Sequence, residues 1–332
     1  MSTSRTPRHA RLLGPRDVAE AAAILRAGGL VAFPTETVYG LGAVADDDAA
    51  VARIYAAKGR PAFNPLIVHV ADLAAAGRLA VLDATARALA ARFWPGPLTL
   101  VAPLRDGHGL SPRVTAGLGT VALRVPAAPL ARDLLAAVGR PVAAPSANPS
   151  GRISPTRAAH VVAGLGDAVD AVLDGGPCAV GLESTILRTD PPALLREGGL
   201  LAEAIEAALG RALRRETTPA AVQAPGQMAS HYAPGRPVRL DMTARAPDAV
   251  LLGFGAVAGD LTLSGSGDLA EAAASLFARL HEADALAAAR GAARIDVAPV
   301  PDEGLGRAVL DRLRRAAAPR GAGPARGPLS EA

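Results

Sequence analysis

One lysine stands among the 35 basic residues of this chain, Lys58, and two asparagines stand in all of it, Asn64 and Asn148. Where arginine takes every other basic position, a retained lysine points to a place that needs a compact ammonium rather than a planar fork. Lys58 lies in AAKGRPAFNPLIVHV, two residues before Arg60 and six before Asn64; Asn148 lies in PVAAPSANPSGRISPT. A point charge and a guanidinium fork two residues apart suit a phosphate chain and the charge that develops at a reacting phosphorus. Ser146 and Asn148 offer neutral donors in a loop. Ser154 opens Ser-Pro-Thr, with Pro155 at the expected first helical position, a helix start suited to phosphate. Plainer readings stay open. Asn-Pro makes turns, a lysine favours a helix C-terminus through the dipole, Ser154 serves as a simple N-cap, and His69 in LIVHV fits a core histidine.

Other nucleotide and hydrolase signatures fail. The lone lysine precedes Gly59, which excludes the Gly-Lys-Ser/Thr of a P-loop. Gly-x-Gly-x-x-Ala recurs at Gly40, Gly117, Gly253 and Gly265, without a clear acidic partner about 20 residues on. His-Glu-x-x-His and Gly-x-Ser-x-Gly are absent. One cysteine, Cys178, excludes an intramolecular disulfide and a cysteine-cluster metal site. Asp46-Asp47-Asp48 fits the acidic start of a helix better than a cation cage.

The elements that must position these residues follow from periodicity. Helices are expected at 15–27, 46–57, 83–93, 127–138 and 155–164. Strands are expected at 30–34, 66–71, 98–104, 120–125, 142–145, 169–173 and 184–188. This predicts an α/β domain with one large twisted sheet and flanking helices over 15–210. Residues 211–237, punctuated by Pro219, Pro225, Pro234 and Pro237, read as a linker or functional loop. Strand 249–254, helix 268–286, strand 294–298 and helix 304–316 then predict a smaller, Rossmann-like α/β domain over 238–317. Residues 1–14 read as a basic arm and 318–332 as a disordered Gly/Pro/Ala tail.

The chain has 332 residues, is half apolar and carries a net charge of +4. Residues 1–16 hold four arginines and no acid, and 307–332 hold six arginines against Asp311 and Glu331. The basicity therefore sits at the ends. No apolar run approaches the ~18 residues of a membrane span, and the start lacks the apolar stretch of a secretory signal. A soluble, cytoplasmic protein is expected.

Seven segments in order carry a family resemblance: FPTETVYGLGA (33–43), KGRPAFNPLIVHV (58–70), FWPGPLTLV (93–101), ALRVP (122–126), APSANPSGRISPT (144–156), DGG with ESTI (174–186) and LREGG (195–199). Together they resemble the YrdC-like domain of the threonylcarbamoyl-adenylate synthases. APGQMASHYAP (224–234) and the second α/β domain resemble the linker and C-terminal part of that family's long form. The resemblance implies a nucleotidyltransferase for tRNA processing. It would join L-threonine, bicarbonate or CO2 and ATP into threonylcarbamoyl-AMP, releasing pyrophosphate. A separate transferase complex would then modify the adenosine beside the tRNA anticodon, with weak direct tRNA contact possible.

In that reading Lys58 and Arg60 are catalytic and, with Thr120, Ser146, Asn148, Ser154, Arg196 and Tyr232, hold ATP. Thr35, His69, Arg124 and Ser184 hold threonine, with the Arg124 fork on its carboxylate. Mg2+ would ride on the ATP phosphates, with no dedicated protein metal site. The N-carboxylated threonine supplies its own nucleophile, so alignment and charge do most of the work. Two departures stand out. Ala62 replaces a common serine, and Gln227-Met228-Ala229-Ser230 before His231-Tyr232 lacks the basic residues many members have. The alternatives are a non-catalytic RNA-binding protein using the same concave face, its affinity falling steeply with salt, and a carbamoyl-adenylate former acting on another amine.

Overall fold

The computed structural model describes residues 10–217, 224–228 and 230–319. Local signals set many boundaries. Asp47 caps the helix Asp48–Lys58 by accepting from Ala50 N, and Gly59, at φ +59°, ends it in the left-handed conformation, where glycine carries no Cβ penalty. Asp48 lies in its first turn, so the acidic run serves a helix start as expected.

In chain order the first part holds β1 (Arg11–Leu13), α1 (Val18–Arg26), β2 (Val31–Pro34), β3 (Tyr39–Val44), α2 (Asp48–Lys58) and β4 (Ile67–His69). Then come α3 (Leu73–Leu79), α4 (Ala84–Phe93), β5 (Leu98–Pro103), α5 (Pro112–Thr115), β6 (Thr120–Arg124), α6 (Pro129–Val138) and β7 (Val142–Ala143). It finishes with α7 (Ala158–Leu165), β8 (Ala171–Leu173), β9 (Thr185–Thr189), β10 (Pro192–Arg196), α8 (Ala202–Leu209) and β11 (Arg214–Arg215). The strands make one 11-stranded mixed sheet in the order β1-β8-β2-β3-β7-β4-β6-β5-β9-β10-β11. The large sheet with flanking helices is the expected α/β architecture.

The second part holds β12 (Val238–Arg239), β13 (Ala249–Gly253), β14 (Leu261–Thr262), α9 (Leu269–Arg290), β15 (Arg294–Val297) and α10 (Leu305–Ala317). Its four strands are all parallel, ordered β12-β15-β13-β14, over an apolar core centred on Leu276, Phe277, Leu280 and Ile295. The two parts touch closely. A Cβ on Gly181 would stand 2.3 Å from the Ala274 carbonyl of α9.

Several expectations are corrected. The arm expected at 1–14 contributes β1, paired in parallel with β8; residues 1–9 lie outside the described residues, as do 320–332 of the expected tail. The expected linker carries β11, beside β10, while 218–223 and Ala229 lie outside the description. The helix expected from 155 starts at Ala158, with Arg157 at its cap. The carbonyls a start at 155 would need are engaged elsewhere. Ser154 O contacts His281 Nε2, Pro155 O accepts from Tyr39 N, and Thr156 O accepts from Cys178 N. Among the described residues, no helix is long and apolar enough to cross a membrane.

Candidate active site

Strand alternation builds the site's floor. Successive side chains point to opposite faces, so Val68, Leu100, Leu123, Leu187 and Leu194 enter the helix-covered core. Their neighbours Ile67, Val101, Ala122, Ile186 and Leu195 form an apolar layer on the other face, joined by Ala224 of the linker. His69 and Arg124 lie two residues beyond Ile67 and Ala122 and share that face. The parallel β4–β6 register sets them side by side.

Around them, Thr35, Thr37, Arg60, Ser146, Ser184 and Arg196 line a cavity of about 50 Å3, room for a few waters. The linker closes it through Pro225, Gly226, His231 and Tyr232. Gly226 has φ +85°, and a Cβ there would stand 2.9 Å from the Tyr232 hydroxyl and 3.0 Å from Arg196. Glycine is therefore what lets the linker lie this close.

Three guanidinium groups reach the cavity, each fixed by its neighbours. Arg60 donates to Asn64 Oδ1 (2.8 Å) and to the carbonyls of Asn64 (3.1 Å) and Pro65 (2.7 Å); burial pulls its pKa down to about 10. Arg196 forks onto the Ser184 carbonyl at 3.1 and 2.8 Å, reaches Ser184 Oγ at 3.2 Å and Pro225 O at 3.1 Å. Arg124 donates to Gly96 O (3.2 Å), Thr37 Oγ1 (2.9 Å) and Glu36 Oε1 (2.5 Å). The other Glu36 oxygen accepts from Ala127 and Ala128 N at 2.9 and 3.3 Å. The helix expected from 127 begins at Pro129, because a proline at the first helical position holds Ala128 extended (ψ 124°).

The neutral groups are equally determined. His69 is buried with Nδ1 unpartnered among the described residues, and burial, then Arg124, push its pKa down to about 3. It is a neutral imidazole beside cations. His231 is likewise held well below its ordinary range by burial and then by Arg60 and Lys58. Thr35 Oγ1 bonds Thr37 Oγ1 and Val38 O, both at 2.7 Å, and Ser184 Oγ bonds Thr99 Oγ1 at 2.7 Å. Burial pushes the Tyr232 hydroxyl up to about 12.

Thr35, Arg60, His69, Arg124, Ser146, Ser184, Arg196 and Tyr232 thus meet at one cavity, whereas Lys58, Thr120, Asn148 and Ser154 do not line it. Lys58 is buried behind the wall and donates to the carbonyls of Ser146 (2.6 Å) and Asn148 (2.5 Å). Its ammonium fixes the loop that carries Ser146. Asn148 Nδ2 donates to the Pro149 and Arg152 carbonyls, both at 2.9 Å, and its buried Oδ1 has no partner among the described residues. Thr120 begins β6, at the end opposite Arg124. Ser154 Oγ donates to Glu183 Oε1 at 2.5 Å and starts no helix. Sequence reasoning missed Glu36, Thr37 and Glu183 as parts of the site, although all three lie inside the Thr-Glu-Thr and Glu-Ser-Thr-Ile stretches. Among the described residues no group of three His, Cys, Asp or Glu is placed to hold a metal ion.

With this geometry in hand, the comparisons are specific. Residues 23–198 match the Sua5/YciO/YrdC family model, described as telomere recombination, and 200–318 match the threonylcarbamoyl-AMP synthase C-terminal domain. The threonylcarbamoyl-AMP synthase of Bacillus subtilis is 49% identical over 231 residues, 67% of this chain and 66% of that protein. That of Pyrococcus abyssi is 42% identical over 322 residues, 89% of this chain and 92% of that one. The crystal structure of P. abyssi Sua5 complexed with L-threonine superposes with a TM-score of 0.84 at 38% identity, covering 93% of this chain and 97% of that one.

Proposed function

The chain belongs to the Sua5/YciO/YrdC family in its long two-domain form, and from that premise we propose that it is a threonylcarbamoyl-AMP synthase, a nucleotidyltransferase acting on ATP, L-threonine and bicarbonate or CO2. The observation that carries this reading is the meeting of Arg60, Arg124 and Arg196 with neutral His69, Thr35, Ser146 and Ser184 at one cavity. Fixed cations suit a triphosphate and a carboxylate, and neutral donors and acceptors suit a hydroxyl and a carbamate.

In the proposed reaction a carboxylate oxygen of N-carboxy-threonine attacks the α-phosphorus of ATP and pyrophosphate leaves. Arg60 and Arg196 stabilise the charge on the phosphoryl oxygens. Arg124, aligned by Glu36 and Thr37, takes the threonine carboxylate with its remaining N–H bonds. His69, kept neutral by burial, offers Nδ1 to the threonine hydroxyl. Lys58 acts by holding Ser146 in place through the carbonyls of Ser146 and Asn148. Mg2+ carried by the phosphates would add charge neutralisation, bound through substrate oxygens and water. In this reading the linker, which closes the cavity through Pro225, Gly226, His231 and Tyr232, shifts to admit ATP. Tyr232 stands in this reading as the outer contact of the nucleotide, while Thr120 and Ser154, which lie off the cavity, are given no contact with it.

The product would pass to a separate tRNA-modifying transferase in the cytoplasm. The family match and the curated relatives favour the synthase over non-catalytic RNA binding. The test is pyrophosphate release from ATP, with threonine and bicarbonate omitted in turn. Release that needs both supports the synthase. Release indifferent to threonine would point to another amine, and none under any condition would defeat the reading.

A further inference from the structure

The second domain has no stated task in this chemistry, yet its last helix touches the linker in several places. Arg315 of α10 is buried and donates from Nη1 to Met228 O at 2.6 Å and from Nη2 to Thr217 O at 3.1 Å. One guanidinium therefore staples two points of the linker that lie on either side of residues 218–223. The Arg315 carbonyl accepts from His231 N at 3.2 Å, which fixes the histidine that lines the cavity. Arg312, one turn earlier and fully buried, stands 5.5 Å from the Tyr232 ring centre. It also donates to Glu183 Oε2 at 3.0 Å and to Glu197 O at 2.6 Å. Asp311 aligns both arginines, accepting from Arg312 at 3.0 Å and from Arg315 at 2.9 Å.

We propose that Arg312 and Arg315 are positioning residues for the reaction, so that α10 of the C-terminal domain latches the linker's His231–Tyr232 wall onto the active site. The contacts are of the kind a latch needs. Those of Arg315 run from a 13-residue helix to backbone carbonyls of an irregular segment, so they fix its path whatever side chains it carries, while Arg312 meets the Tyr232 ring. The guanidinium fork suits this because its N–H groups diverge in a plane; a lysine in its place presents one nitrogen. Glu183 is shared between the domains, since its other oxygen accepts from Ser154. Loosening α10 therefore releases the linker and one wall of the site together. The inference rests on the proposed synthase for its kinetic arm only.

The test uses the full chain with Arg315→Ala and Arg315→Lys, read by amide hydrogen exchange and by pyrophosphate release. With Arg315→Ala, exchange across 224–232 should accelerate at least about tenfold, the factor that ~1.4 kcal/mol carries, while amides of α9 and β13 keep the parent rates. The KM for ATP should rise by a similar factor with kcat changed less, a split that mere loss of fold would not give. Arg315→Lys should show the same pattern at smaller size, and it decides the matter if the alanine variant fails to fold. Parent-like exchange in 224–232, or acceleration spread evenly through the C-terminal domain, would overturn the latch. Exchange needs no turnover, so a parent chain that fails to release pyrophosphate would count against the synthase and leave the latch decidable.

Discussion

Replacing Lys58 by methionine keeps most of the side chain's volume and removes its charge and its donors. The ammonium is buried and bonds the Ser146 and Asn148 carbonyls at 2.6 and 2.5 Å. A hydrogen bond from a charged group contributes about 1.5–3 kcal/mol, and a buried carbonyl left unpaired costs about 1–3 kcal/mol. Against this stands the cost of keeping that charge buried beside Arg60, which holds the Lys58 pKa well below its usual value. The net loss should be about 2–4 kcal/mol, or a fall of roughly 5–10 °C in the melting of the N-terminal domain. The 146–148 loop should move, and Ser146 leaves the cavity wall with it. Misplacing a positioned group by an ångström can cost about a hundredfold in rate, so threonine-dependent pyrophosphate release should drop at least that far. Calorimetry and the release assay on one preparation read both. A Lys58→Met protein melting within about 1 °C of the parent and keeping at least half its release rate would refute the reasoning.

Three further outcomes are expected. Stability should fall as pH drops below about 6.5, the value for a free imidazole: His69 stays neutral in the fold down to about 3 and His160 down to about 4, so the unfolded chain binds those protons first; a flat melting temperature from pH 7 to 4.5 would contradict this. Arg124→Lys should raise the KM for L-threonine about tenfold to a hundredfold, roughly 1.4–2.7 kcal/mol, because one ammonium cannot serve Gly96, Thr37 and Glu36 at once; steady-state kinetics with varied threonine checks it. Gly226→Ala, forced into φ +85° against Tyr232 and Arg196, should raise the KM for ATP severalfold and lower the melting temperature by roughly 2–5 °C, since left-handed strain at one residue costs about 1–2 kcal/mol; parent-like KM and melting would contradict this.

What the sequence determined alone was local. Asp47 and Gly59 set the ends of α2, period-two apolar runs set β4, β5, β6 and β9, and the ordered motifs placed eight of the twelve candidate residues at one cavity. Two of the missed elements have a common cause. YGLGAV is glycine-rich and LAAAGRL carries little periodicity, so β3 and α3 exist because the sheet and core accept them, not because their residues insist. Tertiary structure decided the rest. Ser154 and Pro155 look like a helix start, but their carbonyls serve a histidine of α9 and the amide of Tyr39. Lys58 looks like a phosphate ligand, yet its ammonium is engaged by two carbonyls nearly 90 residues away. Arg124 is aligned by Glu36, and Glu183 by an arginine of the second domain. Such pairings join residues far apart in the chain, and one sequence carries no local signal of which distant carboxylate or carbonyl a buried cation will meet.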